Sequence, residues 1–116
     1  MKVEDIIEGL NRHIENKRKD LNIEAKGHIV LQKEINTNSS FKAYKDYRYT
    51  VWFTNRKPYR LITVNQSARV LDGQEELMER QMNTILCQSL FDWVGSDSYN
   101  KVIKGEYNGV PEDRNE

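Results

Sequence analysis

YRYTVWFTNRKPYRLITV, residues 47–64, holds two runs of β-branched and aromatic residues separated by the polar bend NRKP. Such runs on either side of a turn signal read as two antiparallel strands joined by a tight connection. Pairing Thr54 with Tyr59 across four residues, or Asn55 with Pro58 across two, gives the same register. The face assignment is therefore independent of the turn chosen. In this register Tyr49, Val51 and Phe53 share a face with Val64, Ile62 and Arg60, the expected core face. Arg48, Thr50, Trp52 and Thr54 share the other with Asn65, Thr63, Leu61 and Tyr59. The stretch carries four Arg and Lys and no acid. Its cations are expected at the bend and on the outer face, over an apolar floor.

Working outward, Gly27 precedes HIVLQKEI, in which Ile29, Leu31 and Ile35 alternate with His28, Val30, Gln32 and Glu34. That is the period of a half-buried strand, and NTNSS after it reads as a loop. Before it, Val3, Ile6, Ile7, Leu10, Ile14 and Leu21 form one apolar stripe at helical spacing, with Glu8, Arg12, Asn16 and Lys19 outside the stripe. After the hairpin, Asp72 and Glu75 have the spacing of a capping box, predicting a helix that runs to about Val94. Met78 and Met82 fall inward in its first half, and Glu75, Glu76, Glu79 and Arg80 largely outward. In its second half Ile85, Leu86, Cys87, Leu90, Phe91, Trp93 and Val94 surround the axis, so two sides need cover. SDSYNKVIKG, residues 96–105, supplies a short helix with Tyr99, Val102 and Ile103 on one side and Gly105 as its stop.

The expected fold class is α+β: a three-stranded antiparallel sheet with an N-terminal helix, a long C-terminal helix and a short extra helix, in the order α-β-β-β-α-α. With 116 residues, one domain over 1–110 and a polar tail over 111–116 are expected. The order of elements resembles that of the double-stranded RNA-binding domain at the level of topology. The segment leading into the long helix, VLDGQEELMER, residues 70–80, is acidic. No binding residue of that family is carried over.

Composition narrows the function classes. At 37% hydrophobic and 31% charged residues, the chain is rich enough in aromatic and β-branched residues to fold rather than stay disordered. No stretch is apolar enough to span a membrane, and the start, MKVEDIIEGL, has acids where a signal peptide carries a basic flank, so a cytoplasmic location is the expectation. A lone Cys87, expected buried and inert, excludes an intramolecular disulfide. His13 and His28 lie on different elements, and no GxSxG, HExxH or phosphate-binding glycine loop occurs. Glu75 and Glu79, one turn apart, could share a cation, but a hard metal needs more oxygen ligands converging from elsewhere, and Glu76 with Arg80 reads as an i,i+4 pair on a solvated face. We expect no catalytic residues, no metal and no cofactor.

The formal net charge of zero hides an asymmetry. Residues 41–69 carry +6, with seven basic residues against Asp46 alone, residues 70–116 carry −6, and the first 40 residues balance. Charge concentrated on an aromatic-bearing sheet suits an anionic partner, because cations neutralise phosphate while Trp52 or Tyr59 offers a ring for a base to stack on. The candidate ligand-binding residues are Arg48, Trp52, Arg56, Lys57, Tyr59 and Arg60. The expected function is a small non-enzymatic module that binds nucleic acid or a nucleotide. The alternative is a protein-binding or inhibitory module docking an acidic protein surface, or an oligomeric accessory protein. The apolar end of the long helix and the open sheet also predict a homodimer.

Overall fold

The computed structural model describes residues 2–37, 44–54, 58–69 and 74–106. Its elements follow in the order α1 (Val3–Asp20), β1 (His28–Thr37), β2 (Tyr44–Thr54), β3 (Tyr59–Arg69), α2 (Glu75–Val94) and α3 (Asp97–Lys104). The strands form one antiparallel sheet in the order β1-β2-β3, as the alternating runs predict. Both outer strands are therefore edges.

The helices lie over one face of the sheet. Ile29, Tyr47, Tyr49, Val51, Phe53, Tyr59 and Val64 are buried on that inner face and share a core with Val3, Ile7 and Ile14 of α1, Met82, Leu86, Leu90 and Trp93 of α2, and Tyr99, Val102 and Ile103 of α3. Each aliphatic side chain so buried contributes about 1.5–3 kcal/mol relative to exposure. The sheet's length against the 18 residues of α1 leaves the far end of β1 uncovered: Glu4 meets Lys33 at 2.6 Å, Asn11 bonds Ile29, and Arg18 bonds the Gly27 carbonyl, so α1 runs antiparallel to β1 and starts level with Lys33. Beyond that level Ile35, expected in the core, is 44% exposed. Leu21, expected on the apolar stripe of α1, flanks the helix end and is exposed. Asn36 and Thr37, read as loop, continue β1.

One irregularity changes the face assignment. The register runs as predicted from Tyr49↔Val64 through Val51↔Ile62, then shifts, so that Trp52 faces Arg60 and Phe53 faces Tyr59. A bulge places one extra residue on β3 and turns everything before it over. Tyr59, expected on the outer face, lies on the inner face at 2% exposure. Arg60, expected on the core face, is exposed beside Trp52. The exchange is favourable because Tyr59 buries a large aromatic surface where Arg60 would have left a guanidinium to desolvate.

The helix ends follow local chemistry. Asp72 lies outside the described residues; α2 begins at Glu75, and Gln74 before it makes no side-chain cap. Glu75, expected to complete a capping box, instead forms an ion pair with Lys45. Ser96 caps α3 by accepting from the Tyr99 N–H at 3.3 Å, and Gly105 closes it with φ 73°, where a Cβ would run into Ala25. Gly27 takes φ 115° where its Cα passes against Phe53 and the Thr54 carbonyl, an approach that admits no side chain.

Arg18 fastens this end of the molecule. Although it sits between Lys17 and Lys19, it is only 6% exposed. Its Nε donates to the Ile103 carbonyl at 3.1 Å, Nη2 to the Val102 carbonyl at 2.7 Å and Nη1 to the Gly27 carbonyl at 3.1 Å, and its guanidinium lies 5.9 Å from the Phe53 ring centroid. Burial pushes its pKa down from the ordinary arginine value, and the carbonyls at the C-terminal end of α3 supply the negative dipole that a cation favours.

Candidate functional site

The uncovered face of the sheet divides into two halves. Rows across the strands follow from the register: His28 with Thr54, Val30 with Trp52 and Arg60, Gln32 with Thr50 and Thr63, Glu34 with Arg48 and Asn65, Asn36 with Asp46 and Ser67. The half nearer the β2–β3 connection carries Trp52, half-buried, with Arg60 exposed at its side and Val30 partly buried across from it on β1. The Trp52 indole donates to the Gln32 carboxamide at 2.9 Å, which fixes the ring against the sheet. The His28 ring is held by the Thr54 hydroxyl, 3.1 Å from Nδ1. This half bears an aromatic platform with basic chemistry along its rim.

The far half is different. Arg48 is exposed but stands across from Glu34 and donates from Nε to the Asn65 carboxamide at 3.2 Å, while Ser67 donates to Asp46 at 2.5 Å. Glu34, Asn36, Asp46, Arg48, Asn65 and Ser67 line a shallow depression of about 490 Å³ there. Four residues of strand, about 13 Å, separate Arg48 from Trp52. Arg48 belongs to a polar network of mixed sign.

Of the six candidate residues, the structure therefore brings Trp52 and Arg60 together, sets Arg48 apart, and removes Tyr59 to the core. Arg56 and Lys57 lie outside the described residues. The expectation that the basic block stands against open solvent is also modified, because part of it is cancelled within the molecule. Lys45 lies against Glu75 at the start of α2, and its pKa is raised by that hydrogen bond. The strongly basic and strongly acidic segments of the chain thus meet where β2 passes under α2.

Sequence reasoning missed one feature of this face. Thr50 is 3% exposed although no helix among the described residues covers it, and the Thr63 hydroxyl beside it is likewise buried with no hydrogen-bond partner among them. A short side chain on the central strand is hidden by longer neighbours such as Trp52 and Arg48. Period-2 patterning identifies the face but does not register this depth.

Elsewhere, a groove of about 760 Å³ runs beside α1 and the approach to β1; Glu8, Glu15, Arg12 and Lys26 line it with mixed charge. Cys87, expected buried, is half-buried; it accepts a hydrogen bond from Asn83 at 3.7 Å, and burial pushes the thiol pKa up. His13 stacks on Tyr99 with centroids 6.4 Å apart. Glu76 and Arg80 form the i,i+4 pair at 3.7 Å. Among the described residues no group of three or more His, Cys, Asp or Glu is placed to hold a metal ion, and no helix is long and apolar enough to cross a membrane. The short α3 covers the Trp93 side of α2, with Tyr99 edge-on to Trp93 at 5.3 Å, but Phe91 remains 67% exposed. Comparisons of the chain with protein-family models, characterised proteins and solved structures return no match.

Proposed function

We propose that the chain is a small non-catalytic binding module that receives an anionic partner, a nucleic acid strand or a nucleotide, on the open face of its sheet. One observation carries this reading: Trp52 and Arg60 stand side by side on a sheet face that no helix among the described residues covers, at the end nearest Arg56 and Lys57 in the sequence. An indole braced by Gln32 offers a flat surface on which a base stacks, worth about 1–3 kcal/mol per base. A guanidinium beside it neutralises phosphate and releases counterions. The binding surface is the half of the face around Trp52, with Arg48 outside it.

The reading is tested by titrating the protein with single-stranded oligonucleotides, duplexes and mononucleotides while following tryptophan emission. Trp93 is buried, so quenching that disappears in Trp52→Ala reports on the open face. Emission unchanged by every nucleic acid and nucleotide sinks the reading. The alternative of an acidic protein surface docking on the same cations would then stand in its place.

A further inference from the structure

We infer that the β1 edge is a self-association surface, on which a second copy of the chain pairs its own β1 antiparallel about a two-fold axis at Ile35. The inference starts from Asn11. Its carboxamide accepts from the Ile29 N–H at 2.7 Å and donates to the Ile29 carbonyl at 2.9 Å, so the peptide groups of Ile29 point away from β2. Alternation along an antiparallel strand turns the N–H and C=O groups of Leu31, Lys33, Ile35 and Thr37 the same way. No hydrogen bond to these groups is made among the described residues. Asn11 blocks the edge at one end, and the rest is an open template for another strand.

The two edges of the sheet are not equivalent. The β3 edge is broken by the bulge and presents Thr63, Asn65 and Ser67 at its outward positions. The β1 edge pairs with β2 without a break over ten residues and carries Ile35, exposed and with no helix over it among the described residues. The lysine that would guard this edge is folded back: Lys33 reaches Glu4 and lies 5.1 Å from the Tyr49 ring centroid.

Charge and helix position choose the register and the occupant. Centring the pair on Lys33 or Glu34 would set identical charges opposite each other. Centring it on Ile35 sets Lys33 opposite Thr37 and Glu34 opposite Asn36, and brings the two exposed isoleucines together on the axis. Because α1 starts level with Lys33 and runs away from Ile35, the two α1 helices diverge, their starts separated by about 13 Å along the strand direction. Centred on Lys33, they would collide. The pairing gives a continuous six-stranded sheet with both Trp52 surfaces on one face, about 33 Å apart along the strands, since Trp52 lies across from Val30.

The test is the mass of the full chain in solution, by light scattering or sedimentation at about 100 μM, where mass action favours association. The expected mass is twice that of the chain. Ile35→Pro removes an outward N–H that the sheet does not use and should give a folded monomer, whereas Ser67→Pro on the opposite edge should remain dimeric. A monomeric parent, a dimeric Ile35→Pro or a monomeric Ser67→Pro overturns the inference. Amide exchange on the unaltered protein decides it if a proline variant does not fold. The Lys33, Ile35 and Thr37 amides should exchange at least tenfold more slowly at high concentration than at high dilution, and equal rates at both would refute the pairing.

Discussion

Val51 and Trp52 are neighbours on the same strand, yet they live in different solvents. Val51 is fully buried beneath the helices, while Trp52 lies half-covered on the opposite face with its indole bonded to Gln32. Along all three strands the inner face joins a core built by α1, α2 and α3, and the outer face carries short-range polar pairs. The difference teaches that along each strand the core and the open face are told apart by the parity of a residue number, up to the bulge, where the parity inverts.

The sharpest way to break that separation is Val51→Asp. A carboxylate placed at this fully buried position meets a desolvation penalty of several kcal/mol, comparable with the whole stability of a small domain. Loss of the cooperative thermal transition is expected. Retention of a melting point near that of the parent would mean the inner face is not the core.

Arg18→Met comes next. It removes three charge-assisted hydrogen bonds and leaves the carbonyls of Gly27, Val102 and Ile103 without these donors, while keeping most of the stem's volume. About 3 kcal/mol of destabilisation is expected, measured by denaturant unfolding. A loss below about 0.5 kcal/mol would show that the carbonyls find water instead.

Much of this division is legible in the sequence, and the exceptions have physical causes. The alternation of Tyr49, Val51 and Phe53, the stripe of α1 and the Gly105 stop each state a local preference that the packing agrees with, so the α-β-β-β-α-α order follows directly. The bulge does not announce itself. Tyr59, Leu61 and Thr63 alternate with Arg60, Ile62 and Val64 without a glycine or any other break, so the pattern reads as regular on both sides of the shift. What decides it is a tertiary competition between Tyr59 and Arg60 for one buried position. Arg18 had a usable signal: it follows Val3, Ile7 and Ile14 at helical spacing, and only its charge and its neighbours Lys17 and Lys19 made it look solvated. Lys45 could not be set apart from the basic block by sequence, because Glu75 lies 30 residues away.

On the outer face the effects move from stability to binding. Trp52→Ala should cost no more than about 1 kcal/mol in unfolding, because the ring is only partly covered, while weakening nucleic acid binding by about 1–3 kcal/mol. Unfolding losses of the size expected for Val51→Asp would make Trp52 a core residue and erase the distinction between the faces. Arg60→Gln should leave the melting point unchanged and flatten the slope of log affinity against log salt by about 0.7–0.9, the share of one phosphate contact. The same change at Arg48, about 13 Å from Trp52 along the strand, should move the slope less. Equal shifts for both would place the anionic partner along the whole face.

The smallest effect belongs to the rim, where inner and outer environments meet, and it is read through pH. Glu4 has its pKa lowered from the usual 4.5, first by its hydrogen bond to Lys33, with partial desolvation opposing. Lys33 is partly desolvated, which lowers its pKa, but the Glu4 hydrogen bond and charge outweigh this and raise it overall. A carboxylate whose folded pKa is depressed contributes stability that is fully present above its unfolded value and is lost as pH falls through the folded one. A lysine raised in the folded state contributes below its unfolded value, 10.5, and loses that contribution as pH rises through its folded one. The pair therefore supports the fold across neutral pH and weakens at both extremes. Its side chains are 52% and 38% exposed, so solvent screening holds the contribution to a few tenths of a kcal/mol. Glu4→Gln should remove that small contribution at pH 7, and the two stabilities should converge as pH falls through the depressed folded-state pKa of the Glu4 carboxyl. Thermal unfolding of both proteins across this range measures it. Curves that stay parallel with a constant offset through the whole acid range would mean that Glu4 acts through packing at the start of α1 and not through its charge.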